Sequence, residues 1–435
     1  MTESNQYQYD TKIARIGVPK IIAADTGSNK VDDSNSVTLV MTSEELSDLG
    51  TDALSMEFEK AGPRANLYFD PSKTTCGIVT CGGLCPGIND VIRSIVLTAH
   101  HHYSIPKILG FRNGLRGFIP GYGYDVMKLT PQSVSGIHQS GGTILGTSRD
   151  MQDIEKIVDS LEQINLNVLF IIGGLGAMRA ANAIVDEINK RGKKISVVGI
   201  PKTVDNDINF IARSFGFETA VEKATEAIRS AHVEALSVNH GVGMVKLMGR
   251  DAGFIAAEAT LATSEVNFLL IPEQPFELEG EQGLLMALER RLLKKKHALI
   301  VIAEGAGQEH VDSGKSDLFG NPDLGDISGT LIRRFKSHFK KRNIELYIKY
   351  IDPSYIIRSI PATAGDRVYC SFLGQHAVHA AMAGKTGMVV AQVKSSMVHL
   401  PLGLITDKRR TLNTRSDYFN AVMDTTDQEY YFKKM

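Results

Sequence analysis

Residues 76–100 read CGIVTCGGLCPGINDVIRSIVLTAH: a short apolar run, a glycine-rich turn, then apolar residues recurring at helical spacing. The run is too short for a helix and has no polar alternation, so it reads as a strand buried on both faces, as in a parallel sheet. The Gly82-Gly83 pair after it lets backbone N–H groups approach an anion at the positive end of the following helix. Similar runs recur as NVLFII (167–172), SVVGI (196–200), GMVKLM (243–248), NFLLI (267–271), LIVIA (299–303) and MVVAQV (388–393), with helical patterns between them. One of these, 281–296, sets Leu284, Leu285, Leu288 and Leu292 on a single stripe. Its basic end, Arg290, Arg291, Lys294, Lys295 and Lys296, reads as a solvated face suited to the helix dipole. The pattern predicts an α/β fold of two doubly wound, Rossmann-like domains with parallel-sheet cores, preceded by an N-terminal arm.

The chain's 435 residues exceed what one core usually supports. Globular patterning begins near Ala61. Residues 1–60 read as the arm, with one helix expected around Ser43–Asp48. The expected domains are 61–217 plus about 357–410, for nucleotide, and 218–356 plus about 411–435, for sugar phosphate. With 43% hydrophobic and 22% charged residues the composition is ordinary, and a net charge of −1 points to neither nucleic acid nor membrane. No apolar leader or membrane-length run is visible, so a soluble cytoplasmic protein is expected. Cys76, Cys81 and Cys85 have spacings unlike a zinc knuckle, and with Cys370 read as reduced structural thiols.

In folds of this class ligands gather beyond the carboxyl ends of strands, so the turns there are where chemistry is expected. Besides Gly82-Gly83, glycine turns occur at Gly173-Gly174-Leu175-Gly176-Ala177 and at Gly141–Arg149, the latter ending in a cation able to bridge phosphates. The segment Pro201-Lys202-Thr203-Val204-Asp205-Asn206-Asp207 crowds an amine, a hydroxyl and two carboxylates into one strand-end turn. A carboxylate there can accept a proton from a hydroxyl attacking phosphorus, although Asp and Asn also populate ordinary turns. Met248-Gly249-Arg250 places a guanidinium where charge on a transferring phosphoryl group develops. Glu304 ends the LIVIA run, and Lys349–Arg358 supplies two cations and a phenol. That last stretch reads either as a charged surface turn or as a pocket for a sugar phosphate.

In this order the segments resemble the phosphofructokinase family over about residues 61–425. AGPR, YFDP, VTCGGLCPGIND, PKTVDNDI, VKLMGRDAGFIA, IPEQPFELEG, IAEGAGQE and KYIDPSYIIR are similar to the long ATP-dependent enzymes of plants, trypanosomatids and some bacteria. The resemblance implies transfer of a phosphoryl group from ATP, with Mg²⁺, to the 1-hydroxyl of fructose 6-phosphate in glycolysis. Gly83, Arg149, Asp150 and Gly174 to Ala177 would hold the nucleotide. Asp205 would be the base and Arg250 would steady the transition state. Thr203, Val204, Met248, Gly249, Glu304, Lys349, Tyr355, Ile356, Ile357 and Arg358 would hold the sugar phosphate, some across a subunit boundary. Family members are typically tetramers, often allosteric, and a homo-oligomer is expected. An aspartate at position 176 goes with pyrophosphate as donor, so Gly176 points to ATP; Lys202 occurs in both classes. Lipid and NAD kinases share a Gly-Gly-Asp-Gly loop but not the PKTVDND and MGRDAGF pair.

This chain departs from the family at that loop. Leu175 replaces the aspartate expected to support Mg²⁺, Ala177 replaces a hydroxyl that contacts phosphate, and Leu115 stands where relatives usually carry tyrosine. Leucine has no oxygen to offer a cation that strongly prefers oxygen ligands. Three readings follow: other carboxylates such as Asp150, Asp205 or Asp207 support the ion in a slower enzyme, the chain is a sugar-phosphate-binding regulatory subunit, or the loop was changed deliberately. Position 175 is expected to face the triphosphate.

Overall fold

The computed structural model describes residues 10–24, 27, 29–39, 56–311, 324–426 and 428; the helix expected around Ser43–Asp48 lies outside them. The chain divides into two compact units: Met1–Thr203 with Ile208–Gly216 and Ile360–Arg409, and Val204–Asp207 with Phe217–Ser359 and Arg410–Met435. The described fold is the α/β architecture expected.

The first unit is built on a seven-stranded sheet in the order Ser396–Pro401, Met388–Val393, Ser196–Pro201, Val168–Gly173, Thr75–Thr80, Lys107–Phe111, Met127–Lys128. The five inner strands are parallel, while the two outermost run antiparallel to their neighbours. The antiparallel edges were not anticipated, nor was the strand Lys107–Phe111. Every residue of Thr75–Thr80, Val168–Gly173 and Ser196–Pro201 is buried, which explains their unbroken apolar character. The helices Ile88–His101 and Leu175–Lys190 follow the first two of these strands directly.

Strands of the N-terminal arm pair with this unit: Ala14–Arg15 with Lys385–Thr386, Ile21–Ile22 with Asn66–Leu67, and Ser36–Thr38 with Glu57–Glu59. A cluster of charges fastens it. The Lys385 amine, 1% exposed, lies 2.6 Å from Glu59 and 2.9 Å from Asp33. Arg64 reaches the same two carboxylates at 2.7 and 2.8 Å, and His399 Nδ1 lies 2.8 Å from Glu59. Burial alone would raise Glu59, but His399 and Lys385 hold it down at about 2.

The second unit carries a four-stranded parallel sheet in the order Phe268–Leu270, His297–Ala303, Gly241–Leu247, Tyr347–Ile351. Helices Leu284–Lys295 and Ile327–Lys341 bury Leu284, Leu288, Leu292, Leu331 and Phe335 in an apolar cluster with this sheet. The leucine stripe read from the sequence is this buried face. Tyr347–Ile351 forms an edge and is largely exposed.

Burial also sets an acid limit on the first unit. It depresses His376 to about 4, His379 to about 3 and His399 to about 4, from an ordinary value of 6.5. The unfolded chain therefore binds more protons than the folded one below about pH 6.5, so stability rises with pH across that window. Melting temperature should fall as pH drops from about 6.5 towards 5, above the range near 4.5 where the unfolded chain's Glu59 begins to take up a proton. In His376→Phe, which keeps a ring beside Phe372 but removes the titrating group, differential scanning calorimetry should show a shallower fall.

Candidate active site

In the first unit, three turns at one end of the sheet are bonded together. Cys81 N–H donates to Ile172 O at 2.8 Å and Lys202 N–H to Gly173 O at 2.9 Å, extending the parallel ladder past the strand ends. Gly82, at φ +85°, donates its N–H to Ser148 O at 2.8 Å and accepts from Thr147 Oγ1 at 2.7 Å. Thr80 Oγ1 donates to Gly146 O at 2.6 Å. The Gly82-Gly83 turn, the Gly141–Arg149 turn and Lys202 are thus brought together as the sequence suggested. The exposed Arg149 guanidinium lies beside Gly83, where an added Cβ would meet it at 3.3 Å. The Lys202 amine, on a residue only 5% exposed, donates to Gly83 O and so ties the turn that follows Ser196–Pro201 to the first glycine turn.

Position 175 is placed differently from expectation. Leu175 is the first residue of its helix and only 7% exposed, and its side chain joins the apolar cluster that includes Ile171, Met178 and Ile208. An apolar side chain at a strand–helix junction gains by turning inward, about 25 cal/mol for each Å² withdrawn from water. Leu175 therefore serves the core instead of facing a phosphate. Ala177 packs partly against the same cluster, and Leu115 is buried in it. The first turn of Leu175–Lys190 contains no acidic residue, and Gly174 precedes it without a side-chain cap. Bare N–H groups remain there for an anion. This donor set does not fit a directly held Mg²⁺, which takes oxygen ligands. Asp150, a nearby candidate, is engaged by Arg116 at 2.8 Å and by Gln152; burial would raise it, but the Arg116 bond, its own backbone N–H and Ser148 hold it below the usual carboxylate range.

The segment after Lys202 belongs to both units. Ser214 Oγ donates to Thr203 O, while Val204–Asp207 groups with the second unit. Asp205 is half-buried, between the buried Val204 and Asn206, the latter at φ +57°. The Val204 side chain is packed away, so only its backbone remains for a ligand.

In the second unit, Gly241–Leu247 leads into Met248-Gly249-Arg250, and His297–Ala303 into Glu304. Glu304 N–H donates to Leu247 O at 2.9 Å and Gly305 N–H to Gly249 O at 3.0 Å, locking the two turns side by side. Burial raises the Glu304 carboxyl above its ordinary value, opposed by the nearby cations Lys246, Arg250 and Arg358. Lys246 was not anticipated. Burial alone would lower it, but its 2.7 Å ion pair with Asp352 and other nearby negative groups raise it above the ordinary value. Its signal in the sequence was a lone cation within the apolar run GMVKLM.

The other expected sugar-phosphate residues divide. Arg358 lies 4.7 Å from the ring centroid of Tyr355. Tyr355 and Ile356 are 76% and 63% exposed, whereas Ile357 is fully buried. Ile357 was expected among the sugar-phosphate residues; the short helix Ser354–Ser359 turns its side chain into the interior, which leaves only its backbone for a ligand. Lys349 sits on the exposed edge strand and pairs with Glu234 at 3.1 Å.

A family model for phosphofructokinase matches residues 75–381. The chain belongs to the phosphofructokinase family. It is 46% identical over 420 residues to the ATP-dependent 6-phosphofructokinase of Borreliella burgdorferi, covering 94% of this chain and 93% of that one. It is 47% identical to the Amycolatopsis methanolica ATP-dependent 6-phosphofructokinase (86% of this chain, 83% of the relative). For that of Trypanosoma brucei brucei the identity is 46% (85% and 76%). In fold it is similar to the crystal structure of a pyrophosphate-dependent phosphofructokinase from Marinobacter aquaeolei, at a TM-score of 0.66 and 20% identity, covering 82% of this chain and 93% of that one. All four cysteines of this family member are buried, and burial pushes the Cys76 and Cys81 thiols up to about 12. Among the described residues no helix is long and apolar enough to cross a membrane.

The packing of the Arg250 turn against Gly305 has a direct test. A Cβ at Gly305 would lie 1.8 Å from Arg250 O, on rigid backbone. Gly305→Ala should therefore push the Arg250 turn away, read as faster hydrogen–deuterium exchange in the peptide covering Met248–Gly253; unchanged exchange there would contradict the clash.

Proposed function

We propose that this chain is an ATP-dependent 6-phosphofructokinase of the long branch shared by plants, trypanosomatids and some bacteria, acting in the cytoplasm. The observation that carries this reading is the half-buried Glu304 carboxylate with Lys246, Arg250 and Arg358 nearby. A carboxylate for hydroxyls and a set of cations for a phosphate is what a sugar phosphate requires, and guanidinium groups suit phosphate oxygens in particular. The first unit supplies glycine turns, Arg149 and a bare helix N-terminus for a polyphosphate. Around Gly176 an added Cβ would meet nothing within 4 Å, so the space is open for an α-phosphate. That supports ATP over pyrophosphate.

In the reaction, the Asp205 carboxylate takes the proton of the fructose 6-phosphate 1-hydroxyl as that oxygen bonds to the γ-phosphorus of ATP. The bond from the γ-phosphorus to the β–γ bridging oxygen breaks, and its electron pair leaves with ADP. Arg250 stabilises the charge on the transferring group; such transfer depends mainly on positioning and electrostatics. Thr203 and the backbone of Gly249 and Val204 orient the sugar, and Met248 packs beside it. Mg²⁺ enters as part of the donor, MgATP, neutralising phosphate charge. The exposed Lys349, Tyr355 and Ile356 fit a homo-oligomer, dimer or tetramer, in which a neighbouring copy shares the sugar-phosphate site.

The inward turn of Leu175 favours a second reading beside this one: a slow enzyme whose main role is to bind sugar phosphate as a regulatory subunit. An assay coupling fructose 1,6-bisphosphate formation to NADH oxidation separates these, with ATP and then pyrophosphate as donor. Turnover with ATP and none with pyrophosphate is expected, and absence of turnover alongside tight fructose 6-phosphate binding would establish the regulatory reading instead. Asp205→Asn should lower kcat by about 10²–10⁴-fold while leaving fructose 6-phosphate affinity within a few-fold. Near-parental turnover in that variant would place the base elsewhere.

A further inference from the structure

Glu273, just beyond the strand Phe268–Leu270, has a carboxylate that no step above uses. Its Oε1 accepts the N–H of Gly253 at 3.0 Å and that of Leu412 at 2.8 Å, and its Oε2 shares the Gly253 N–H at 3.0 Å. The two donors come from segments far apart in sequence. Gly253 closes the turn that begins at Met248 and presents Arg250, and helix Phe254–Thr263 starts immediately after it. Leu412 lies two residues beyond Arg410, whose N–H donates to Asp207 O at 2.8 Å. The Arg410 guanidinium also lies 4.8 Å from the ring centroid of Phe254. A continuous path of short contacts therefore runs from the Arg250 turn through Gly253, Glu273, Leu412 and Arg410 to the Asp205–Asp207 turn. All of it lies within the second unit.

We propose that Glu273 is a positioning residue for phosphoryl transfer: by accepting the N–H groups of Gly253 and Leu412 it fixes the turn carrying Arg250 relative to the turn carrying Asp205. The proposal rests on the assignment of Asp205 as base and Arg250 as transition-state cation made above. A carboxylate suits the task because it is an acceptor at both oxygens and can take N–H groups from two directions at once. Burial raises Glu273 above the ordinary carboxylate value, against the bonds from Leu412 and Gly253 that favour its charged form. Keeping a carboxylate half-buried here has a cost if packing were its only task, since an apolar side chain would fill the space more cheaply. What an apolar residue cannot do is span the two backbone segments. Base and cation must both meet the reacting oxygen and phosphorus within a fraction of an ångström, and a misplacement of about 1 Å costs on the order of 10²-fold in rate.

Glu273→Gln keeps size but turns one oxygen into an NH2 donor: at the Oε1 position it would face the N–H groups of both Gly253 and Leu412, and at Oε2 that of Gly253, so in either orientation the brace on the Gly253 turn is loosened. Two measurements on the full-length protein decide the proposal. Hydrogen–deuterium exchange without substrate should show faster exchange both in the peptide covering Met248–Gly253 and in the one covering Val204–Asp207, although the latter does not touch Glu273. Steady-state kinetics should show kcat reduced about 10–100-fold with the KM for fructose 6-phosphate within about threefold. A purely structural role would instead lower the melting temperature and leave the kcat of the folded fraction intact. Unchanged exchange at Val204–Asp207, or kcat within about twofold of the parent, overturns the proposal. If the parent itself turns over nothing, the assignment of activity fails separately and the exchange result alone judges the brace. Should Glu273→Gln fail to fold, Glu273→Asp, which keeps both acceptors on a shorter stem, takes its place with the same expected exchange pattern.

Discussion

Parallel pairing that continues one residue beyond the strands is the constraint on which the rest of the site depends. Cys81 and Lys202 donate their N–H groups to Ile172 and Gly173, and in the other unit Glu304 donates to Leu247. Each of these bonds fixes where a turn begins, and therefore which residues leave the sheet as loop. The glycines that follow then allow close approach, as Gly305 does to Arg250. Parallel strands buried on both faces have little freedom to slip, because a shift of one residue would reverse every side chain. The turns inherit that rigidity.

The two units differ in how they treat charge. In the second, burial raises Glu304 against the pull of nearby cations, while the ion pair with Asp352 raises Lys246 against burial, so opposite charges are held close together. Low local dielectric strengthens such contacts, and pre-set orientation avoids reorganisation when a ligand arrives. In the first unit the backbone cradle survives, while the side chains at 175 and 177 have been given to the core. The amides and cations for phosphate are kept; the carboxylate for its counter-ion is not.

Much of this was legible in the sequence because the central strands are buried on both faces and read as apolar runs. The strand Lys107–Phe111 escaped notice because it is short and carries a glycine. Tyr347–Ile351 escaped because it lies at an edge, where exposure admits lysine and tyrosine and breaks the apolar signal. Catalytic candidates at strand ends were found through the crowding of Asp205, Arg250 and Glu304 with glycine. Lys246, Glu273 and Arg410 were missed, since each acts through a partner distant in sequence: Asp352, Leu412 and Asp207. The inward turn of Leu175 was equally invisible, because the first position of a helix can face either way and only the packing around it decides.

We propose that charge neutralisation at the donor, and not sugar binding, limits this chain. The measurement that addresses it most directly is turnover of Leu175→Asp against the parent during a Mg²⁺ titration at saturating ATP and fructose 6-phosphate. Removing a buried leucine costs about 2–5 kcal/mol of stability, so the comparison is made well below the lower melting temperature. A carboxylate, unlike leucine, gains by leaving the apolar cluster for the bare N–H groups at the helix start. The account then predicts higher kcat in the variant, by about tenfold or more, at a lower half-saturating Mg²⁺ and with fructose 6-phosphate affinity unchanged. Equal or lower kcat in a folded variant that still binds ATP would contradict it.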